Sequence, residues 1–223
     1  MTIPPESPDV NAPRRYDSQL RKAQAAATRR AIVDAALAAF LEHGYTGATM
    51  QKIAESAGVV VETIYRAFDG KAGLFKSAVE AAVAGGTARA ERPVEQRPAI
   101  QAIISEPDPR RKIERYADTQ PGIHARLGPL YGMLAEAAAV DPELAGTREE
   151  LETQRLHGMA RFAQHLAETG ALRAGVTVEE ARDVLWTINS HAVHRMLVTE
   201  RSWTPERYRD WLADILTCAL LPY

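Results

Sequence analysis

Residues 49–71, TMQKIAESAGVVVETIYRAFDGK, constrain this chain more than any other stretch. Met50, Ile53, Ala54 and Ala57 recur at three and four residue spacings, the repeat of one helix face. The repeat stops at Ala57-Gly58-Val59. Beyond it Val59 and Ile64 form a second short apolar face, which Phe68 closes. Two short amphipathic segments meeting at a glycine are the pattern of a helix-turn-helix. Thr49 is placed to cap the first segment, since its side-chain oxygen can accept a backbone N–H of the first turn.

The flanks carry the same helical periodicity. Ile32, Ala35, Ala36, Ala39 and Phe40 predict a helix starting near Arg21 and stopping at Gly44. Asp69 is expected to cap another helix running through Leu74, Phe75, Ala78 and Val79 toward residue 88. Residues 89–110 are broken by Pro93, Pro98, Pro107 and Pro109, with a short helix expected over Ala99–Ser105. Helices are predicted over 110–119, 122–139, 142–169, 177–199 and 205–221, with starts marked by Asp141-Pro142, Thr177 and Thr204-Pro205. No run alternates with period two, and Val59-Val60-Val61 is too short and too helically flanked to be a strand. The expected class is all-α: residues 1–20 a flexible, proline-bearing segment, 21–70 a helix-turn-helix head, and 71–223 a larger helical body.

Composition sets the outer bounds. The chain has 223 residues, 46% hydrophobic and 25% charged, ordinary for a chain that folds in water. Net charge is only −2, but residues 1–76 hold 10 Lys and Arg against 8 Asp and Glu, while residues 77–223 hold 17 against 21. A slightly positive head is compatible with phosphate contact. Cys218 is the only cysteine, so neither an internal disulfide framework nor a cysteine-based zinc finger exists. The start, MTIPPESPDVNAPRR, has no apolar segment of the secretory kind, and no apolar run approaches the roughly 20 residues that span a bilayer. The expectation is a soluble, cytoplasmic protein with no membrane partner.

Geometry gives the head a chemical reading. A recognition helix lies in the DNA major groove while its opposite face packs on the preceding helix. Ala54 and Gly58 are small where two helices must approach or turn. Val59 and Ile64 point inward, leaving Val61, Glu62, Tyr65 and Arg66 outward. Thr49, Thr63, Tyr65 and Lys71 can donate to phosphates, which fixes register without reading bases. Arg66 can reach a guanine edge, Val61 can press on a thymine methyl, and Glu62 can accept from cytosine or restrain Arg66. Arg21, Lys22, Arg29 and Arg30 form either a basic arm beside the backbone or a solvated charged face. A helix-turn-helix pair also occurs in helical proteins that bind no DNA.

The stretch ATRRAIVDAALAAFLEHGYTGATMQKIAESAGVVVETIYRAFDGKAGLFKSAV resembles the DNA-binding domain of TetR-type bacterial regulators. The resemblance covers residues 27–79. It rests on Gly44, Thr49, Ile53, Ala54, Ala57, Gly58, Val59, Thr63, Tyr65, Phe68, Lys71 and Leu74, in order and spacing. It implies a three-helix DNA-binding head and a helical body that dimerises and holds a ligand. It also implies phosphate contacts from Thr49, Thr63, Tyr65 and Lys71, with Val61, Glu62 and Arg66 toward the groove. One departure is Val60, where the family often has Ser or Thr as helix cap; losing such a cap costs about 0.5–2 kcal/mol.

In the body, Val184, Leu185, Ile188, Ala192 and Met196 form one broad apolar face and Leu212, Ile215, Leu216 and Leu220 another. With helix 142–169, the 177–199 segment is a candidate four-helix interface in a homodimer, an assignment that leans on the family pattern. Tyr116, His124, Tyr131, Met133, Met159, Phe162, Trp186 and Asn189 are candidate cavity residues for a small-molecule effector. His157, His165, His191 and His194 lack the converging ligands of a metal site and are expected near an interface or on a wet surface. No G-x-G-x-x-G, P-loop, H-E-x-x-H or G-x-S-x-G motif is present, so neither catalysis nor a cofactor is expected. The resulting expectation is a ligand-responsive repressor binding double-stranded palindromic DNA. An activator or adaptor without an inducer is the alternative, and a helical enzyme the alternative of another class.

Overall fold

Helix starts in this chain are set by side chains that accept otherwise unpartnered backbone N–H groups. In the computed structural model, which describes residues 12–222 and their side chains from Ser18 onward, Thr49, Thr177, Ser190 and Thr204 each accept the N–H three residues on. Asp108 and Asp141 each accept two, ahead of a proline in the first turn. Thr177 and Glu180 complete a reciprocal capping box.

Eleven α-helices follow among the described residues: α1 (Ala12–Gly47), α2 (Met50–Ala57), α3 (Val61–Phe68), α4 (Lys71–Ala84), α5 (Thr87–Ala90), α6 (Pro98–Ile104), α7 (Pro109–Ala137), α8 (Pro142–Glu168), α9 (Val178–Ile188), α10 (His191–His194) and α11 (Pro205–Leu220). A 3-10 turn spans Val94–Gln96 and a π-helical turn Arg195–Thr199. There is no strand among the described residues, and none of their helices is long and apolar enough to cross a membrane.

Several boundaries differ from expectation. Residues 1–11 lie outside the described residues, but the helix expected from about Arg21 is already formed at Ala12. Gly44 does interrupt α1, with φ 70° and ψ 173°. Asp69 closes α3 in a left-handed conformation (φ 52°) instead of opening α4, whose N-cap is Gly70. The helix expected to reach residue 88 stops at Ala84, where Gly85 turns left-handed. The helices expected over 110–119 and 122–139 are one, continuous through Pro121 and Pro129. An interior proline costs about 3 kcal/mol. Here Ile113, Tyr116, Gln120, His124, Leu127, Leu130 and Leu134 bury one unbroken stripe, which holds α7 together. The reverse occurs at 177–199, where Asn189 leaves helical geometry and Ser190 recaps the chain as α10.

Buried side chains fall into two clusters. The first joins α1, α2 and α3 to α4, the second half of α7 (Leu127, Leu130, Leu134) and the start of α8 (Leu144, Leu151). The second unites the first half of α7 with the end of α8, α9 and α11, including Tyr116, Phe162, Leu185, Tyr208, Leu212 and Leu216. Leu212, Leu216 and Leu220, read from sequence as an apolar face available to a partner, are spent inside this second cluster. Ala192 and Met196, expected to extend the Val184–Ile188 face, are exposed beyond the break at Asn189.

Helix α4 meets α3 at an unusually close approach. A Cβ on Gly73 would lie 1.9 Å from the Phe68 carbonyl oxygen, well inside contact distance. Gly73→Ala should therefore destabilise the protein by about 1–3 kcal/mol in urea unfolding, as overpacking does. Gly132→Ala, on the open side of α7 with nothing within 4 Å, should stabilise it by about 0.5–1 kcal/mol. Equal midpoints for the two variants would contradict this packing.

Candidate DNA-binding head and buried polar node

The turn of the head is closed by its own backbone. Gly58 sits at φ 67°, so its N–H reaches Glu55 O at 3.2 Å and that of Val59 reaches Ala54 O at 3.0 Å, the paired bonds of a Schellman ending. Val60 follows as N-cap of α3 without a side-chain hydrogen bond, as expected from its side chain, and is 66% exposed. The Thr63 N–H bonds the Val60 carbonyl at 3.0 Å, so the helix starts on backbone geometry alone. Ile64 and Phe68 are buried and fasten α3 to the core.

The residues read as DNA contacts gather around α3 in different environments. Glu62, Tyr65 and Arg66 are exposed, Tyr65 at 54%. Thr63 is half-buried. Val61 is also half-buried and packs on the core beside Val59, so it faces outward less than its spacing implied. Thr49 is exposed and accepts the Lys52 N–H at 3.3 Å, which leaves its hydroxyl proton free to donate. Lys71 is half-buried with Nζ 4.6 Å over the Tyr45 ring, and burial lowers its pKa. Tyr45 itself belongs to an aromatic triad with Phe40 and Phe75, with centroids 5.1–5.8 Å apart.

Of the cations read as a basic arm or solvated face, Arg29 and Arg30 make identifiable internal contacts. Arg29 donates to the Ala67 carbonyl at 2.8 Å and lies 4.1 Å over the Phe68 ring, closing the end of α3. Arg30 pairs with Glu91 at 2.8 Å and ties α1 to the segment after α5. Neither contact has a local sequence signal, because the partners are 38 and 61 residues away.

In the body, two of the candidate ligand residues, Tyr116 and His124, bond Asn189, which is buried. Its Nδ2 donates to the Tyr116 hydroxyl at 2.6 Å and to Gln120 Oε1 at 2.8 Å. Its Oδ1 accepts from His124 Nε2 at 2.9 Å and from the Tyr208 hydroxyl at 3.2 Å. Tyr116 in turn donates to Met159 Sδ at 3.2 Å and stacks on Phe162 at 4.6 Å. Trp186 lies under the Arg155 guanidinium at 4.6 Å, and Arg155 also donates to the Trp186 carbonyl. Tyr131 approaches His191 at 5.1 Å. Met133 packs on the first cluster instead.

Sequence reading missed Gln120, Tyr208 and Arg155, and placed His191 and His194 at an interface or on a wet surface. His194 is instead buried and stacked on His124 at 4.5 Å, while His191 is half-buried at 5.9 Å from it. Burial pushes His124 down to about 4 and lowers both neighbours, while it raises Tyr116 and Tyr208 and lifts Tyr131 to about 12. The node is therefore neutral near pH 7. Two surface grooves are present, one along Arg173–Val176 and Val184, the other along Val193, Leu197 and Trp211.

Residues 32–78 match the family profile described as bacterial regulatory proteins, tetR family. The head belongs to the TetR family. Over 87–88% of its length the chain has the fold of solved TetR-family regulators. A protein from Rhodococcus sp. assigned to the family as a transcriptional regulator is 18% identical with a TM-score of 0.65, over 87% of this chain and 98% of that one. NalD, the secondary repressor of the MexAB-OprM multidrug efflux pump in Pseudomonas aeruginosa, is 23% identical with a TM-score of 0.62, over 87% and 95%. SmeT in complex with triclosan is 20% identical with a TM-score of 0.62, over 88% and 92%. No curated protein matches this chain in sequence.

Within this TetR fold the node makes two measurable demands. Asn189→Ala removes a hydrogen bond from four buried side chains, of which the Tyr116 hydroxyl keeps Met159, so unfolding free energy should fall by about 3 kcal/mol or more; a loss below about 1 kcal/mol would show that the network adds little. The second demand is a pH dependence. His124 binds its proton less readily folded than unfolded, so between pH 4 and 6.5 the unfolded chain holds more protons and stability rises with pH. Lowering pH from 7 to 5.5 should remove about 1 kcal/mol through His124. The slope should shrink in His124→Phe, and an unchanged slope would contradict the assignment.

Proposed function

We propose that this protein is a homodimeric, ligand-responsive transcriptional repressor that binds a palindromic operator in the cytoplasm. The observation carrying the reading is α3: Ile64 and Phe68 hold it to the core while Glu62, Tyr65 and Arg66 face solvent together. On duplex DNA, Thr49, Thr63, Tyr65 and Lys71 bond phosphates, and Val61, Glu62 and Arg66 meet the groove. Reaching a phosphate takes Lys71 from its place over Tyr45. One eight-residue helix reads too few bases for tight operator binding, so two heads act on one duplex. Residues 21–70 serve as the DNA head and 71–223 as the regulatory and dimerising body.

The effector occupies the region of Tyr116, His124, Tyr131, Met159, Phe162, Trp186 and Asn189. A physical route joins it to the head. Arg126, two residues beyond His124 on α7, donates to the Ala82 carbonyl at 2.7 Å and so grips the end of α4. At its other end α4 abuts α3 through Gly73 and Phe68. An effector that binds one placement of α7 better than another shifts the spacing of the two heads. The repressor role of NalD and the bound triclosan of SmeT agree with this reading in proteins of the same fold.

Selection from random duplex DNA by the full chain should return a two-fold symmetric site protected by a dimer. Tyr65→Phe should weaken binding roughly tenfold or more. Lys71→Ala should weaken it for all sequences and flatten the salt slope by roughly two, one per head. Arg66→Ala should alter base preference more than non-specific affinity. Failure to enrich any sequence, or an asymmetric site bound by one chain, would overturn the proposal.

A further inference from the structure

The node leaves three buried nitrogens without a hydrogen-bond partner: His124 Nδ1, Trp186 Nε1 and His191 Nδ1. An unmet buried polar atom is costly, and so few in one place call for an explanation. They belong to one neighbourhood. His124 and His191 are 5.9 Å apart, Tyr131 adjoins His191, and Trp186 lies on α9 three residues before Asn189, which bonds His124.

Hydrogen-bond logic assigns the proton of His124. Asn189 Nδ2 already donates twice, so Oδ1 is the atom facing His124, and His124 Nε2 must donate to it. His124 Nδ1 is thus a bare lone pair inside the protein. The Trp186 indole is the opposite, a donor and never an acceptor. An occupant serving both has to offer a proton to one and a lone pair to the other.

Charge narrows the class further. Arg155 is neutralised by Glu152 through contacts of 3.1 and 3.0 Å. Arg195, which acts on His191, pairs with Glu200 at 2.6 Å. The three histidines are neutral at pH 7, since burial lowers each. An ionised guest would give up water without a free counter-charge.

We infer that the node takes an uncharged organic molecule whose hydroxyl or N–H group both donates, to His124 Nδ1, and accepts, from Trp186 Nε1, with Tyr131 and His191 as its aromatic wall. This rests on the ligand-responsive reading above and names the chemical class of its effector.

Four size-matched probes test it on the full chain: benzyl alcohol, benzyl methyl ether, benzoate and benzylamine. The readout is the indole N–H resonance of Trp186 in a 1H–15N correlation spectrum, identified by its loss in Trp186→Phe. Benzyl alcohol should shift that resonance and bind roughly tenfold tighter than the ether, which can only accept, and than either ion. In His124→Phe the preference for alcohol over ether should fall below about twofold. Should that variant fail to fold, the wild-type ranking alone decides. Equal binding of alcohol and ether, tighter binding of an ion, or no movement of the Trp186 signal with any probe would overturn the inference. Operator selection without probe keeps the two readings apart. An operator bound tightly but indifferent to every probe rejects the effector class alone, whereas no operator at all rejects the regulator.

Discussion

Helix α4 is buried along most of its circumference, and both ends of the molecule depend on that burial. Ala72, Leu74, Phe75, Ala78, Val79, Ala81 and Ala82 are all inside. Phe75 locks against Phe40 and Tyr45 in the head, while the far end meets Arg126 of α7. A helix that merely linked two domains would bury one stripe. This one is a shared core element, so the first cluster runs from the three helices of the head into α7 and α8 without interruption. Close-packed interiors answer a displacement by switching between packings more readily than by stretching. Movement of α7 has a direct path to α3 for that reason.

The opposite half of α7 faces a different constraint. It carries Tyr116, Gln120 and His124 into an otherwise apolar cluster, where each polar group needs a partner. Asn189 supplies four contacts at once because the chain leaves helical geometry there, freeing it from the α9 repeat. A fully helical residue 189 would sit in the α9 register. The break before α10 and the network are therefore one feature, and it turns His191 and His194 toward His124. Neutral, stacked imidazoles beside a charge-balanced arginine give the body a polar interior with no net charge to offer.

Much of the fold was legible because its signals are local. The caps at Thr49, Asp141, Thr177 and Thr204 act within three residues, and the helix-turn-helix lies within a few turns of chain around Gly58. Apolar spacing identified α2 and α3, and with them the exposed positions of Glu62, Tyr65 and Arg66. Candidate body residues such as Tyr116, His124 and Phe162 were recognisable by type, since aromatic and polar side chains on apolar helices stand out.

Tertiary packing decided what spacing leaves open. Proline argues for a break at 121, yet the buried stripe of α7 overrides it; at 189 the local cap of Ser190 permits a break, and a network reaching 73 residues back holds Asn189 in it. Arg29 looks like any basic residue on a helix until Ala67 arrives beneath it. A chain specifies its helices through contacts a few residues apart, where propensity and capping suffice. The partners of Arg29, Arg126 and Asn189 are chosen only when distant segments meet, because the cost of an unpaired buried group exists only once the core has closed around it.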